Sequence, residues 1–503
     1  MPAHHHASAP AAVSAEGYQK SLTRRHVQMI AMGGAIGVGL FMGAGGRLAS
    51  TGPALVFSYA VAGAIAYLLM RALGELIMYR QTSGSFVSYA GEMFGSKGAY
   101  ISGWMYFVNW AMTGIAELLA IGLYFQYFFP EVPVEVSALC ALALLVAVNL
   151  LSVRAFGEFE FWASVLKVTA ISLFLVAGTV MVVMNTQVGA THASPTNLLA
   201  GDGGMFPHGF FVMILVLNAV IFAYNAIELV GITAGEMEDP QREVPRAIRA
   251  VVLRIVVFYV GSVLLLAMLL PSNQYKAGVS PFVTVFDQLG AGWIGDVMNL
   301  VVITAALSSS NTGLYSIGRI FRTMASNGHA PHWLTRMSKR HVPYAAILAI
   351  AAVYFVGILV NLWAGGTHAF DLALNTASIG VIFTWGSIFA CQLMLRKKRG
   401  DGASSLPMPG SPWTSWLGLA ALAAITVLIA FDTMTDKATG EMYPIGLYTI
   451  LCVPVLAVLL WLGWLLVKRH EAAQALEADR AHGDALAPEG FDAAEAESAK
   501  ATL

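Results

Sequence analysis

The sequence predicts an all-α polytopic membrane protein with twelve transmembrane helices. Of its 503 residues 57% are hydrophobic and only 11% are charged, whereas soluble proteins carry about 25% charged residues. The mean hydropathy is +0.68. Apolar segments of about 20 residues, long enough to cross a bilayer, recur along the chain. Numbered one to twelve, they are residues 27–46, 53–71, 98–128, 136–153, 161–185, 209–232, 250–271, 292–318, 343–364, 370–395, 414–431 and 445–467.

Lysine and arginine residues are concentrated in alternate loops between the segments. The loops that contain few positively charged residues hold only Arg47, Lys276 and Lys437. The loops that are rich in positive charge include Arg24, Arg25, Arg80, Arg154, Arg242, Arg246, Arg319, Arg322, Arg396 and Lys468. Because positively charged loops remain in the cytoplasm, both termini are predicted to be cytoplasmic. We expect a disordered N-terminus (1–20), a transmembrane domain (21–469) and a cytoplasmic tail (470–503).

Several function classes are disfavoured by what the sequence lacks. The net charge is −1, and no basic cluster is interleaved with aromatic residues, as a nucleic-acid surface would need. Cys140, Cys391 and Cys452 lie far apart in apolar segments, which predicts neither disulfides nor metal ligands. No P-loop, HExxH or GxSxG motif is present. We therefore expect no enzymatic activity, no cofactor, no metal and no nucleic-acid or protein partner.

Segment one, within His26–Gly46, combines apolar character with an unusual density of glycine. Its glycines are Gly33, Gly34, Gly37, Gly39, Gly43, Gly45 and Gly46. Each costs roughly 1 kcal/mol in a helix relative to alanine. This pattern favours a helix that is broken within the membrane, where free backbone groups bind a substrate. Close helix packing through small residues is the alternative.

Segment six is interrupted in a corresponding way. Asn225, Glu228 and Gly231 lie within its otherwise apolar sequence. Because segment six is the fifth segment after segment one, segments one and six occupy equivalent positions in two five-helix halves, residues 27–185 and 209–395. The halves are followed by helices eleven and twelve, residues 414–467. An inverted repeat of this kind places a site between segments one and six near the middle of the membrane.

Ionisable residues inside the membrane are candidates for proton or substrate coupling, because each costs about 2.5–3.5 kcal/mol at the bilayer centre. They are Glu117 in segment three, Lys167 in segment five and Glu228 in segment six. A structural hydrogen bond is the alternative for the glutamates. Lys167 could instead extend its ammonium group to the membrane surface.

Two further polar stretches differ in their expected surroundings. Residues 308–312, SSSNT in segment eight, are expected to line a cavity. Residues 236–248, EMEDPQREVPRAI, are expected to form a solvated charged loop. Thr113 is a further candidate for the pocket wall.

Motifs throughout the chain resemble the amino acid permeases of the amino acid transporter family, in the amino acid–polyamine–organocation superfamily. They are GGAIGVGLFMG (33–43), RALGEL (71–76), SGSFVSYA (83–90), FGEFEFWASVLKV (156–168), ELVGITAGEMEDPQREVPRAI (228–248) and SSSNTGLYSIGR (308–319). SGWMYFVNWAMTGI (102–115) and FYVGSVLLLAMLLP (258–271) are most similar to the bacterial L-asparagine permeases in this family.

The resemblance implies a LeuT-like fold of five plus five helices and two more, and proton-coupled import by alternating access. Backbone groups of the broken helices would bind the substrate, with help from three pocket residues. The implied substrate-binding residues are Ile36, Gly37, Val38, Gly39, Phe222, Ala223, Tyr224, Asn225, Thr113, Glu117 and Ser309. The implied proton-coupling residues are Lys167, Glu117 and Glu228, and Lys167 would act on the backbone of the broken first helix.

Three positions depart from the family pattern and bear on the substrate. Val38 replaces a hydroxyl residue, Ala226 replaces Gly or Ser, and Glu117 replaces the Asp of asparagine permeases. The resemblance therefore predicts a symporter in a bacterial cytoplasmic membrane that imports an amino acid, with L-asparagine as the first candidate. The alternatives are a D-serine/D-alanine/glycine or γ-aminobutyrate permease, an amino-acid antiporter, and a transporter-like nutrient sensor.

Overall fold

The computed structural model describes residues 22–486 except 35, 83, 201–203, 238, 277, 291, 365–366, 432–433, 436–441 and 444. The predicted N-terminal stretch 1–20 therefore lies outside the described residues, as does the tail beyond residue 486. Within the described part the chain is almost entirely helical, so the predicted all-α class is confirmed.

The helices fall into two stretches of chain separated by a short antiparallel hairpin. The first stretch contains α1 (Arg24–Gly33), α2 (Val38–Phe41), α3 (Gly43–Thr51), α4 (Leu55–Tyr79), α5 (Ser85–Phe94), α6 (Ser96–Phe128), α7 (Val134–Leu151) and α8 (Val153–Val183). The second contains α9 (Phe210–Leu215), α10 (Leu217–Phe222), α11 (Leu229–Thr233), α12 (Pro240–Leu253), α13 (Ser262–Leu269), α14 (Pro281–Gln288), α15 (Gly292–Ser326), α16 (Tyr344–Ala364), α17 (Thr367–Arg399), α18 (Trp413–Ile429) and α19 (Ile445–Leu486).

The remaining elements are short. A π-helical stretch, Arg254–Gly261, joins α12 to α13. The strands β1 (Gln187–Val188) and β2 (Thr191–His192) form one hairpin, and β3 (Met434–Thr435) and β4 (Met442–Tyr443) form another.

Among the described residues, nine helices are long and apolar enough to cross a membrane. The two shorter apolar helices, Phe210–Phe222 and Trp413–Ile429, lie in predicted segments six and eleven. Segment one is interrupted, and its second part runs on into segment two as the apolar span Val38–Tyr79. Large apolar side chains that no other helix covers, such as Val183 on α8 and Trp363 on α16, provide the surface that lipid would contact.

Both predicted helix breaks are confirmed. Segment one leaves the helical conformation after Gly33 and resumes it at Val38. Segment six leaves it after Phe222 and resumes it at Leu229. Within the second break Ala226 has φ +72°, a left-handed conformation that glycine adopts more readily than alanine.

Long helices hold the broken segments in place. The helix α1 lies against α8 and α12, and α2 lies against α10 and α15. The helix α6 packs against α15 and α17 and carries buried polar residues along its length. The helices next to the first break therefore pack on α8, α12 and α15, and Asn225 in the second break bonds Thr113 on α6.

Two charged groups occupy positions that the sequence did not predict. The prediction of a solvated loop after segment six is wrong, because most of this stretch lies in helix α12. Pro240 is its first residue, a position where the backbone N–H that proline lacks would have no partner within the helix. Glu236 just before it is buried and bonds Arg319 at 2.9 Å and the Tyr315 hydroxyl at 2.8 Å. Arg47, assigned to an outer loop, is also buried and donates to the Gly39 carbonyl at 2.8 Å.

The Glu236–Arg319 pair gives the first testable prediction. Arg319→Ala should lower the free energy of unfolding by about 3–5 kcal/mol, because it leaves a buried carboxylate without its charge partner. Unfolding in detergent by titration with a denaturing surfactant measures the change. Arg336→Ala, at an exposed position, is the control. Adding Glu236→Gln to Arg319→Ala should recover part of the loss, and no recovery would show that the charge of Glu236 is not the cause.

Candidate functional site

The break in segment one exposes backbone groups next to a short helix. Gly34, Ile36 and Gly37 lie outside the helices. The Gly34 N–H donates to the Ile30 carbonyl at 2.8 Å, and the Ile36 N–H donates to the Gly33 carbonyl at 3.0 Å. The N–H groups in the first turn of a helix have no intrahelical acceptor. The N–H groups of Gly37 and Gly39 are therefore donors of the kind that the sequence predicts for a substrate carboxylate.

The break in segment six lies directly against segment one. A Cβ atom added to Gly39 would lie 2.7 Å from the Ala223 Cα and 3.2 Å from Phe222 Cδ1. Since such a separation is far below a van der Waals contact, only glycine allows this approach of the two backbones. The structure thus brings together two stretches that are 184 residues apart, as 223 minus 39, and both are predicted substrate contacts.

Glu117 on α6 faces this contact. Its carboxyl group lies beside the Ser309 hydroxyl and the Val38 backbone N–H. A Cβ atom on Gly37 would lie 3.1 Å from Glu117 Oε1 and 3.5 Å from Ser309 Oγ. The second oxygen, Oε2, is buried and has no hydrogen-bond partner among the residues that the structure describes. Residues predicted from three separate segments therefore surround one unsatisfied acceptor.

Asn225 ties the second break to α6 by its side-chain amide. Its Nδ2 donates to Asn109 Oδ1 at 3.3 Å and to Thr113 Oγ1 at 3.2 Å. Its Oδ1 accepts from Asn109 Nδ2 at 3.2 Å and from the Ala226 N–H at 2.9 Å. Thr113 lies one helical turn from Glu117 on α6. The predicted residues Asn225 and Thr113 thus contact each other, and their amide and hydroxyl groups are largely satisfied within the protein.

Two predicted residues have side chains that lie apart from the Glu117 cluster. The Tyr224 hydroxyl donates to the Tyr59 carbonyl at 2.8 Å, and its ring stacks on Tyr259 at 4.5 Å, so only its backbone belongs to the break. Glu228 is buried near Tyr106 and Trp385. Within the described part of the chain, neither of its carboxyl oxygens has a hydrogen-bond partner.

Lys167 on α8 is buried and does not extend to the membrane surface, so that alternative is wrong. Its Nζ donates to the Gly33 carbonyl at 2.7 Å and to Ser308 Oγ at 2.9 Å. The Gly33 carbonyl belongs to the last turn of α1, whose carbonyls lack helical partners. The ammonium group therefore satisfies the end of α1 immediately before the break.

Sequence reasoning missed two buried ionisable groups near this lysine. Glu160 accepts from Ser308 Oγ at 2.6 Å and from Asn311 Nδ2 at 2.8 Å. It lay one residue before predicted segment five, but its spacing of seven residues from Lys167 places both on one helix face and could have revealed it. Arg254 is buried near Tyr224 of the second break and Tyr259 of the π-helical stretch, and its position near a predicted segment end hid it.

Comparisons with known proteins show the family to which the chain belongs. The family described as amino acid permease matches residues 26–477. The chain is 49% identical to the L-asparagine permease of Salmonella typhimurium over 91% of its own length and 90% of the relative. It is 48% identical to those of Escherichia coli, over 92% and 93%, and Streptomyces coelicolor, over 93% and 94%. The chain is therefore a multi-pass membrane protein that belongs to the amino acid permease family.

Proposed function

We propose that this protein is a proton-coupled symporter that imports L-asparagine across a bacterial cytoplasmic membrane by alternating access. The relatives named above support the substrate, since each is named as an L-asparagine permease. The observation that carries the proton coupling is the bond from the Lys167 ammonium to the Gly33 carbonyl. It joins a titratable group to the broken helix that would hold the substrate.

The site offers complementary groups to both ends of an amino acid. Backbone N–H groups at the start of α2 would donate to the α-carboxylate, as helix starts do for anions. The unsatisfied Glu117 Oε2 would accept from the ammonium or the carboxamide N–H group of the substrate. Phe222, which reaches Gly39, would cover the bound molecule as a gate. The LeuT-like inverted repeat, with both termini cytoplasmic, is part of the same proposal.

The lysine would couple the proton to movement of α1. A hydrogen bond from a charged donor is roughly twice as strong as one between neutral groups. The protonated Lys167 therefore holds α1 against α8, and loss of the proton weakens this hold so that α1 can move and open the site towards the cytoplasm. Glu228, buried beside the second break, is proposed as a further group that titrates during the cycle.

Uptake of labelled L-asparagine into proteoliposomes under an inward proton gradient tests the function and its substrate. We expect accumulation that a protonophore abolishes and that unlabelled L-asparagine inhibits best. Proton-driven uptake of glycine, D-alanine or γ-aminobutyrate in preference to asparagine would reject the substrate while keeping the coupling. Exchange that ignores the proton gradient would favour an antiporter instead.

Glu117→Gln tests the contact between substrate and α6. A hydrogen bond to a charged group contributes about 1.5–3 kcal/mol, so we expect the KM for uptake to rise by about 10- to 100-fold. Glu131→Gln, at an exposed loop position, should leave the KM unchanged. An unaltered KM for Glu117→Gln, with normal expression and uptake, would remove Glu117 from the substrate site.

A further inference from the structure

A row of buried polar side chains leads from Lys167 towards the predicted cytoplasmic end of α8. Glu160 lies two helical turns before Lys167, and Ser308 of the neighbouring helix α15 lies between them. All three side chains are fully buried. Because ionisable groups are costly inside a membrane protein, a lysine and a glutamate that share one hydroxyl group call for a functional explanation.

The hydrogen bonds in this row have a uniform direction. Lys167 Nζ donates to Ser308 Oγ at 2.9 Å, and Ser308 Oγ donates to Glu160 Oε2 at 2.6 Å. A hydroxyl group has one proton to donate and lone pairs with which to accept. Ser308 can therefore receive a proton from the lysine while it passes its own to the glutamate, without any change in heavy-atom positions.

Two amides hold the glutamate in the orientation that this transfer requires. Asn311 Nδ2 donates to Glu160 Oε1 at 2.8 Å, and Asn149 Nδ2 donates to Asn311 Oδ1 at 2.6 Å. With Oε1 occupied, Oε2 is the oxygen that faces Ser308. Asn149 lies in the last turn of α7 and Asn311 one turn beyond Ser308 on α15, so three helices position the carboxylate.

The other charged groups that act on Lys167 have different arrangements. They are Glu117 and Arg254. Glu117 lies beside Val38 and Ser309 at the proposed substrate site, and Arg254 carries the same sign of charge as the lysine. Among the described residues, Glu160 is thus the carboxylate connected to the Lys167 ammonium through a single hydroxyl group.

We propose that Ser308 and Glu160 form the path by which Lys167 releases its proton on the cytoplasmic side, an inference that rests on the proposed proton coupling. In this step an N–H bond of the lysine breaks as the Ser308 oxygen takes the proton. The O–H bond of Ser308 breaks as Glu160 Oε2 takes the second proton. The ammonium and carboxylate become an amine and a carboxylic acid, and the serine is unchanged.

This path explains why α1 is released towards the cytoplasm. The proton leaves Lys167 through the hydrogen bond to Ser308 and not through the one to the Gly33 carbonyl. The charged donor to α1 therefore disappears as Glu160 becomes neutral. Movement of α1, which packs on α8, then opens the region beside Glu160 towards the cytoplasm. Ser308 and Glu160 act on the transport cycle through Lys167, without touching the substrate.

Ser308→Ala and Glu160→Gln, reconstituted into proteoliposomes, test the path with two assays. The first is accumulation of labelled L-asparagine driven by an inward proton gradient. The second is exchange of labelled external for unlabelled internal L-asparagine, in which the loaded transporter crosses in both directions without releasing its proton. Ser262→Ala, which removes an equally buried hydroxyl group on α13, is the control, and size-exclusion chromatography confirms that each variant is folded.

We expect Ser308→Ala and Glu160→Gln to reduce proton-driven accumulation by about tenfold or more and to keep exchange close to the wild-type rate. Ser262→Ala should match the wild type in both assays. Accumulation by both variants at the wild-type level would overturn the path. A loss of exchange as large as the loss of accumulation would also overturn it, because it would show that Ser308 and Glu160 only support the structure. A wild-type protein without proton-driven accumulation would overturn the proposed function itself and this inference with it.

Discussion

Lys167→Ala is expected to abolish proton-driven accumulation of asparagine. The substitution removes the buried ammonium group that bonds the Gly33 carbonyl and Ser308, and no other side chain bonds that carbonyl among the described residues. A positioned proton-transfer group contributes about 10²- to 10⁴-fold to the process it serves, so we expect a decrease in the accumulation rate of at least about 100-fold. Uptake into proteoliposomes under an inward proton gradient measures it.

The control for this variant is Lys276→Ala, which removes an exposed lysine outside the helices and should leave accumulation unchanged. Stabilisation of each purified variant by added asparagine, seen as a higher melting temperature, shows whether the site remains folded. A Lys167→Ala protein that accumulates asparagine against its gradient at the wild-type level would exclude the lysine from the coupling.

Gly39→Ala is expected to cause an almost complete loss of transport. Its new methyl group would lie 2.7 Å from the Ala223 Cα and 3.1 Å from the Ala223 N. Both are backbone atoms, so the overlap can be relieved only by separating the two broken segments. Overpacking costs about 1–3 kcal/mol, and here the strain falls on the contact that forms the substrate site. We expect the uptake rate to drop by about tenfold or more.

Gly386→Ala is the matched control, because this glycine also lies within a membrane helix, α17. Its added methyl group would meet only Leu419 Cδ2, at 3.9 Å, which is an ordinary contact. Initial rates of labelled asparagine uptake, corrected for the amount of reconstituted protein, compare the two variants. Wild-type uptake by Gly39→Ala would show that the close approach of the two segments is not needed for transport.

The breaks in segments one and six were predictable because their cause is local. Seven glycines in segment one, and polar residues in segment six, weaken a helix whatever surrounds it. The surroundings of Lys167 were predictable only as two alternatives, since a lysine within an apolar segment must find partners inside the bundle or reach the surface. The sequence left these two outcomes open, and the bonds to Gly33 and Ser308 decide between them.

The residues that were missed lie near segment ends, where composition does not reveal burial. Arg47 and Glu236 stood in stretches assigned to loops, yet both are buried by long-range contacts with Tyr59 and Arg319. Glu160 lies just before predicted segment five, because α8 begins at Val153, earlier in the sequence than the hydropathy indicated. Partners from distant helices create these sites, and a single sequence does not show which helices meet.

The most direct test of the account is to measure whether asparagine carries protons with it. Proteoliposomes with a trapped pH-sensitive dye, and no initial pH gradient, receive external L-asparagine while the internal pH is recorded. The account predicts acidification of the interior that follows asparagine entry in the wild type and is absent in Lys167→Ala. Entry of labelled asparagine into wild-type vesicles at constant internal pH would contradict proton-coupled transport.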